Sequence, residues 1–171
     1  MARLRVLHVI EQLRRGGPIQ ALIAAKKQSR LPCEIEHHIV SIKPADRRAC
    51  AQAAAVGITG TSAPDLACVR GLMADADIVQ IHFWNSPEIH ALLAADLPPI
   101  RLLLWCHVNG AGAPHIIPGA LLDRSDLVVA STSLTLDLPA FRAVDPDRVA
   151  LVESDADFSR QAFQTVDSIS G

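Results

Sequence analysis

The chain of 171 residues has few aromatic residues: four Phe, two Trp and no Tyr. This scarcity leaves few side chains for stacking on nucleic-acid bases or for a flat sugar-binding platform, so a standalone binding module is disfavoured. The 16 basic and 18 acidic residues are scattered, with no basic cluster beyond short pairs such as Lys26-Lys27. We therefore expect no nucleic-acid partner.

Long apolar runs are also missing. A membrane-spanning helix needs roughly 18 to 20 apolar residues, whereas the most apolar run, residues 102–108, is short and contains His107. His8 and Glu11 interrupt the first apolar stretch too early for a signal peptide. We expect a cytoplasmic protein without a transmembrane segment.

Neither cysteine nor histidine shows the spacing of a metal site. The seven histidines contain no H-x-x-x-H or H-E-x-x-H pattern, and His37 and His38, neighbours in one predicted strand, must point to opposite faces. We expect no metal and no other cofactor. The four cysteines contain no C-x-x-C pair and are expected to be reduced and buried: Cys33, Cys50, Cys68 and Cys106.

Apolar residues make up 50% of the chain, charged residues 20%, and the mean hydropathy is +0.25. This composition is typical of a folded domain and excludes disorder. A chain of this length usually forms one domain and buries roughly 70% of its unfolded surface. We expect one domain over residues 1–152, with residues 153–171 as the start of an interdomain linker or a C-terminal tail.

Short apolar runs alternate with Ala-rich amphipathic stretches. This alternation predicts an α/β fold of Rossmann-like, doubly wound type, with a mainly parallel seven-stranded sheet and helices on both faces. The most apolar run, 100–108, is predicted to be the central strand. Strands are predicted at 4–10, 35–42, around 58, 78–83, 100–108, 127–130 and 149–152. Six helices are predicted at 19–30, 46–56, 64–74, 87–95, 118–124 and from 134.

Ligands of such sheets bind beyond the carboxyl ends of the strands. The Gly16-Gly17 turn lets a ligand anion approach a helix N-terminus, or it serves only the conformation of the turn; both explanations stay open. His82 and His107 end strongly apolar strands, where an imidazole can hydrogen-bond a ligand hydroxyl, handle a proton, or cap a loop. The other polar residues that follow strands are Asn85, Ser86, Asn109, Ser131 and Thr132.

Several common enzyme motifs are absent. The chain has no G-x-x-x-x-G-K-[ST] and no G-x-G-x-x-G after its first strand, which excludes a P-loop nucleotidase and disfavours a Rossmann dehydrogenase. No G-x-S-x-G is present to support a hydrolase.

An ordered set of segments resembles a known family. The set comprises the first strand with its Gly-Gly turn (4–17), ADIVQIH (76–82) followed by FWNSP (83–87), a strand ending in His107, SDLVVAST (125–132), and RVALV (148–152) leading to Asp157. In order and spacing it is similar to the N-terminal domain of the family 4 (group 1) retaining glycosyltransferases. These enzymes have the GT-B fold of two facing Rossmann-like domains.

The resemblance implies a role for each matching residue. Gly16 and Gly17 would line the cleft near the donor diphosphate and the acceptor, and His107 would be the catalytic histidine that contacts the donor sugar. His82 and Asn85 would border the acceptor side, next to Ser86, Asn109 and Thr132 as further substrate-binding residues. The implied reaction transfers a sugar from a nucleotide-sugar donor to a hydroxyl acceptor with retention, without a metal.

The resemblance also implies a partner domain. The family's nucleotide-binding half, with two glutamates eight residues apart, is expected after Asp157 and is absent from the 171 residues. We therefore expect activity only with a C-terminal GT-B domain in cis or in trans, and self-association through the bare interdomain face as a further option.

Two alternatives stay open. Ile19, where the family often has Glu, and Glu153-Ser154-Asp155, where it commonly has Pro-Asn-Gly, favour a non-catalytic α/β protein that binds a ligand or a partner. A small flavodoxin-like protein that binds a nucleotide or a flavin is the third class.

Overall fold

Seven strands form a single sheet in which every neighbouring pair is parallel, in the order β3-β2-β1-β4-β5-β6-β7. The computed structural model describes residues 3–28 and 34–152. The strands are β1 (Arg3–Ile10), β2 (Glu34–Ser41), β3 (Thr59–Ser62), β4 (Ile78–Phe83), β5 (Leu102–Cys106), β6 (Leu127–Ala130) and β7 (Val149–Leu151). This sheet, with the helices that cover it, confirms the predicted fold class.

Helices connect the strands and begin at the carboxyl edge of the sheet. They are α1 (Gly17–Gln28), α2 (Arg47–Ala54), α3 (Leu66–Ala74), α4 (Pro87–Ala94), α5 (Gly119–Asp123), α6 (Ser133–Leu136) and α7 (Pro139–Arg142), with a 3₁₀ turn at Pro146–Arg148. The predicted α4 start is confirmed, because Ser86 is the N-cap, Pro87 the first helical residue and Glu88 the acid of the first turn. Helix α3 starts after its Asp65 cap, two residues later than predicted.

The helices lie on both faces of the sheet, as alternation along the strands shows. Neighbouring residues of a strand point to opposite faces, and Ile39 and Val40 of β2 belong to two separate apolar clusters. The Ile39 cluster includes Ile19 and Ile23 of α1 with Ala49 and Ala53 of α2. The Val40 cluster brings in α3, α4, α5 and α7 through Met73, Ile89, Leu92, Leu122 and Phe141.

Two predictions about the elements were wrong. The centre of the sheet is β4, between β1 and β5, rather than the more apolar β5. On β5, Leu104 is fully buried whereas Leu103 and Trp105 are only partly covered, so high hydropathy did not mark the central position. The predicted last helix is two short helices, because Pro139 has no N–H to continue α6 and starts α7 instead.

The cysteines do not share one environment. Cys106 is buried at the end of β5, and its burial raises the pKa of the thiol to about 12. Cys50 on α2 and Cys68 on α3 are exposed, which corrects the prediction that they are buried. They lie on the outer sides of helices whose inner sides carry Ala49 and Val69. Cys33 is outside the described residues.

No helix in residues 3–28 or 34–152 combines the length and the apolar character needed to cross a bilayer. Residues 153–171, predicted as a linker or tail, lie outside the described residues. The division of the chain at residue 152 therefore stays a prediction.

Candidate functional site

A cleft opens at the carboxyl ends of β1 and β4, where the order of strands reverses. The chain moves outward from β1 to β2 and β3 on one side, and from β4 to β7 on the other. Loops that leave β1 and β4 therefore diverge, which is the geometry that creates ligand sites in open α/β sheets. The cleft has a volume of about 420 Å³ and is lined by Ile10, Glu11, Gln12, Leu13, Arg14, Gly16, Ile19, His82 and Trp84. We call it the switch-point cleft.

The loop after β1 forms one wall of this cleft and is held by side-chain bonds. The Leu13 backbone N–H donates to Ser41 Oγ at 2.9 Å, and Gln12 Nε2 donates to the Pro44 carbonyl at 2.7 Å. Arg14 Nε in turn donates to Gln12 Oε1 at 2.6 Å, while the Arg14 side chain stays exposed. The loop therefore places the Arg14 guanidinium and the Gln12 amide on a backbone that side-chain hydrogen bonds hold in position.

Gly16 ends this loop and precedes α1, and its carbonyl accepts the Gln20 N–H at 3.2 Å. Its φ is not in the left-handed region, and a Cβ built there meets no atom within 4 Å. Neither backbone conformation nor crowding within the protein therefore requires glycine here. The conformational explanation therefore finds no support at Gly16, and the approach of a ligand to the backbone stays a prediction.

An ion-paired lysine lies beside the cleft. Lys43 Nζ is 2.5 Å from Glu11 Oε1 and 2.8 Å from Glu88 Oε1, so a residue after β2 joins the loop after β1 to the first turn of α4. The hydrogen bonds to Glu11 and Glu88 raise the pKa of Lys43, and the bond from Lys43 lowers the pKa of Glu88. The ion pair with Lys43 thereby favours the ionised form of Glu88.

Four histidines form a hydrogen-bonded row across one face of the sheet. His37 Nδ1 is 2.9 Å from His8 Nε2, His8 Nδ1 is 3.3 Å from His82 Nε2, and His82 Nδ1 is 2.8 Å from His107 Nε2. The row crosses from β2 through β1 and β4 to the residue after β5. We call these four residues the histidine row.

Burial keeps the histidine row neutral at neutral pH. Desolvation lowers the pKa of His8 to about 3 and that of His107 to about 4, and it lowers the pKa of His82 well below 6.5. Burial, followed by the positive charge of Lys26, also lowers the pKa of His37. Each ring therefore carries one proton and serves as one donor and one acceptor.

His107 ends the row and lines a second cavity, of about 280 Å³, together with the other three histidines, whereas His82 is the member of the row that lines the switch-point cleft. The His107 ring makes an interplanar angle of 4° with the His82 ring, which suits an N–H···N bond in the ring plane. It is also nearly parallel to the indole of Trp84, at a centroid distance of 5.5 Å. Trp105 flanks it at 5.2 Å and donates from Nε1 to Ser131 Oγ at 2.8 Å. Because Trp84 is 39% exposed and lines the cleft, it connects His107 to the ligand side.

The structure brings several predicted site residues together. His82 contacts His107 directly, and His82 and Gly16 line the same cleft. Gly17 is the first residue of α1, next to Gly16. These four residues share one end of the sheet, as their positions after strands predicted; their contact with a substrate stays a prediction.

The other predicted residues have partners within the protein. Asn85 donates to the Pro114 carbonyl and accepts from His90 Nε2 at 2.6 Å, and the Ser86 hydroxyl caps α4. The Thr132 hydroxyl caps α6, and Asn109 Oδ1 accepts the Ala111 N–H at 3.1 Å. None of the four lines the switch-point cleft, although all lie in loops at the carboxyl edge.

Sequence reasoning missed His8, His37 and Trp84, together with the ion pairs of Lys43. His8 and His37 did carry a signal, because a polar residue within an otherwise apolar parallel strand needs a buried partner. The opposite orientation predicted for His37 and His38 is confirmed: His37 bonds to His8, and His38 bonds to Thr59 and Thr61. Within residues 3–28 and 34–152, no group of three or more His, Cys, Asp or Glu could hold a metal ion.

Comparisons with known proteins give few matches. No protein-family model and no curated protein sequence matches the chain. Among solved structures it is similar to the apo form of the glycosyltransferase GlyE of Streptococcus pneumoniae TIGR4, with 9% identity and a TM-score of 0.42. The match covers 96% of this chain and 32% of GlyE, so the chain spans about a third of that protein. Structural similarity at this identity and TM-score does not assign a function to the chain.

Proposed function

We propose that the chain is the acceptor-side domain of a retaining glycosyltransferase with the GT-B fold, which transfers a sugar from a nucleotide-sugar donor to a hydroxyl acceptor. The observation that carries the proposal is a cleft with both polar and apolar lining at the carboxyl edge of the sheet, the same edge at which large hydrophobic side chains are exposed. This arrangement is suited to a site closed by a second, facing domain. The resemblance of the ordered sequence segments supplies the reaction class.

The apolar rim consists of the large exposed hydrophobic residues. Within the described part of the chain these are Leu66, Trp84, Ile116, Leu134, Leu151 and Val152. Leu151 is the last residue of β7 and the others come after strands β3 to β7, so all six lie towards the carboxyl ends of the strands. Exposed apolar residues gathered on one side of a domain are typical of an interaction surface. Here they are available to pack against a C-terminal domain supplied in cis or in trans.

The cleft itself offers groups that suit a sugar hydroxyl ligand. Gln12 and Arg14 can hydrogen-bond hydroxyl or phosphate oxygens, the indole of Trp84 offers a flat apolar face, and Gly16 allows close approach to the backbone. Few convergent polar groups in a part-apolar cavity are the usual composition of a small-molecule site.

In the proposed reaction, the bond between the anomeric carbon and the donor diphosphate breaks, and a bond to the acceptor oxygen forms on the same face of the sugar. The leaving diphosphate carries away the electron pair of the broken bond, and the proton of the acceptor hydroxyl passes to an oxygen of that diphosphate. The residues of this chain bind and orient the acceptor and the donor sugar, with neutral His107 contacting the latter. The donor-binding domain stabilises the charge on the leaving diphosphate.

A binding experiment on the purified chain tests the cleft. We expect calorimetric titration with a panel of free mono- and disaccharides and nucleoside-diphosphate sugars to find a ligand. Trp84→Ala should weaken its binding by about tenfold, since loss of an aromatic face costs about 1.4 kcal/mol. Leu66→Ala is the matched control, because Leu66 is 47% exposed at the same edge but outside the cleft. Failure of every sugar to bind, or equal weakening by both variants, contradicts the proposal.

Sugar transfer is tested in a protein that also contains a donor-binding domain. We expect transfer from a nucleotide sugar in that assembly, none by the isolated chain, and a sharp fall in turnover in His107→Ala. Transfer by the isolated 171 residues would show that the chain needs no second domain. Unchanged turnover in the variant would leave His107 as a packing residue.

A second candidate function is a non-catalytic, ligand-binding relative of the glycosyltransferases. It is favoured by the electrostatics around the cleft, because the hydrogen bond from Lys43 lowers the pKa of Glu88 and burial lowers the pKa of His107 to about 4. These groups are poorly matched to acid–base catalysis near neutral pH. Ligand binding without transfer, even when a donor-binding domain is supplied, would favour this alternative.

A further inference from the structure

The histidine row is connected head to tail, which couples the protons of its four rings. At each step Nδ1 of one ring faces Nε2 of the next, from His37 to His8, His82 and His107. A neutral imidazole has one N–H and one lone pair. If one ring carries its proton on Nδ1, the next must offer its Nε2 lone pair and carry its own proton on Nδ1.

Only two arrangements therefore satisfy every bond in the row. In the first, all four rings are Nδ1–H tautomers, and the bonds point from His37 towards His107. In the second, all are Nε2–H tautomers, and the bonds point the other way. The two differ at the His107 end of the row: His107 Nδ1 is a hydrogen-bond donor in the first and an acceptor in the second. Within the described residues, no protein group bonds to this nitrogen.

Gln80 distinguishes between these arrangements. Its amide Nε2 lies 3.1 Å from Nε2 of His82, in a buried position on β4. An amide nitrogen only donates, so Nε2 of His82 must be the unprotonated nitrogen that accepts. His82 must therefore carry its proton on Nδ1. That lone pair also receives the Nδ1–H of His8 at 3.3 Å. The longer second distance fits an acceptor shared by two donors.

We infer that Gln80, acting through His82, holds His107 as the Nδ1–H tautomer, so that the terminal ring nitrogen of the row, His107 Nδ1, is a hydrogen-bond donor. Gln80 and His82 are positioning residues, because they act through His107. The bonds from His37 to His8 and from His8 to His82 run in the same donor-to-acceptor direction across the sheet. The group that meets His107 Nδ1 is then a hydrogen-bond acceptor, such as a hydroxyl, carboxylate or phosphate oxygen.

The inference depends on the proposed function only for the identity of that ligand. The tautomers themselves are a property of the ligand-free chain. The experiment below therefore uses the chain alone, and the absence of sugar binding would overturn the proposed function while leaving the tautomer result intact.

Two-bond ¹H–¹⁵N correlation spectra of the chain labelled with ¹⁵N-histidine test the inference directly at pH 7.5. The spectra distinguish a protonated ring nitrogen from one with a lone pair. We expect Nδ1–H on His37, His8, His82 and His107. Detection of Nε2–H as the main form of His82 or His107 would overturn the inference, since the amide oxygen of Gln80 would then have to face the ring.

Gln80→Met tests the cause of the bias, because it keeps the side-chain length and removes the donor. We expect the ratio of Nδ1–H to Nε2–H on His82 and His107 to fall about fivefold, as the loss of one buried hydrogen bond implies. Gln52→Met makes the same chemical change on α2, outside the row, and should leave the ratio unchanged. An unchanged ratio in Gln80→Met, or an equal change in both variants, overturns the inference.

Two further substitutions separate positioning from general loss of structure. His82→Phe removes the link between Gln80 and His107, so His107 should become a mixture of tautomers. His8→Phe leaves that link in place, so His107 should stay Nδ1–H. The opposite pattern, with His107 responding to His8→Phe alone, would contradict the assigned direction of the row.

Discussion

At the scale of single residues, the protein has three buried imidazoles and one partly buried, His107, where an α/β sheet usually buries aliphatic side chains. His8 and His82 are only 2% and 3% exposed, and their ring nitrogens bond to other rings. A buried polar group without a partner costs about 1 to 3 kcal/mol, so the histidines are compatible with this core because they satisfy one another. Loss of any one ring leaves its neighbours unsatisfied.

The buried histidines predict a loss of stability in weak acid. In the unfolded chain they titrate near 6.5, whereas in the folded chain the pKa of His8 is about 3 and that of His107 about 4. Between pH 7 and pH 5 the unfolded chain therefore binds more protons, and the free energy of unfolding falls by roughly 2 kcal/mol for each of these two residues.

Urea unfolding at pH 7 and at pH 5 measures this difference. His115→Gln is the control for replacing a histidine outside the row, since His115 is exposed in the loop after β5. Equal free energies of unfolding at the two pH values would mean that the row takes up protons in the folded state and is not held neutral.

At the scale of elements, the site is held in place by how the loop after β5 packs. This loop carries His107 and Asn109, and Gly110 follows with a φ of +77°. A Cβ at Gly110 would lie 2.5 Å from Leu138 Cδ1 and 2.8 Å from Ile117 Cδ1. Backbone conformation therefore requires glycine here, and a Cβ would in addition force the ends of the Leu138 and Ile117 side chains to move.

Gly110→Ala is expected to lower the free energy of unfolding by roughly 2 to 4 kcal/mol, from the strained φ together with overpacking. Gly112→Ala is the matched control in the same loop, because it has an ordinary φ and open space where the Cβ would be. Thermal or urea unfolding of both variants checks the prediction. Equal stability of the two variants would show that the loop moves away from α7 without cost.

Element boundaries were largely predictable, because the signals that set them are local. Strands β4 and β6 match the predicted ranges, and Ser86, Pro87 and Glu88 mark the start of α4 as their residue types indicate. The errors fall where a boundary depends on packing partners. The side of α2 and α3 on which Cys50 and Cys68 lie is one such case, and the division of the last helix is another.

At the scale of the whole molecule, the carboxyl edge combines a polar cleft with exposed apolar residues, whereas each face of the sheet has its own apolar cluster. In an assembly with a second domain this edge would be covered. In the isolated chain it is expected to be available for self-association, because contact between two copies would remove the same apolar residues from water.

This predicts that the chain self-associates as its concentration rises, and that Ile116→Glu together with Leu134→Glu shifts it towards monomer. Sedimentation velocity over a concentration series measures the change. Ala54→Glu, on the exposed surface of α2 near the opposite edge, is the control for added negative charge. Association that persists in the double variant would assign it to another surface.

The sequence by itself determined the α/β class, the number of strands and their parallel direction, because apolar periodicity, helix caps and breakers act over a few residues. It also marked His82 and His107 as residues after strands. Only the tertiary structure decided that β4 is central, that β1 lies beside it, and that histidines separated by 29, 74 and 25 residues bond in one row. Strand order is a matter of non-local pairing, and neither hydropathy nor spacing encodes which strands become neighbours. The contacts that define the switch-point cleft and the histidine row are therefore properties of the folded sheet.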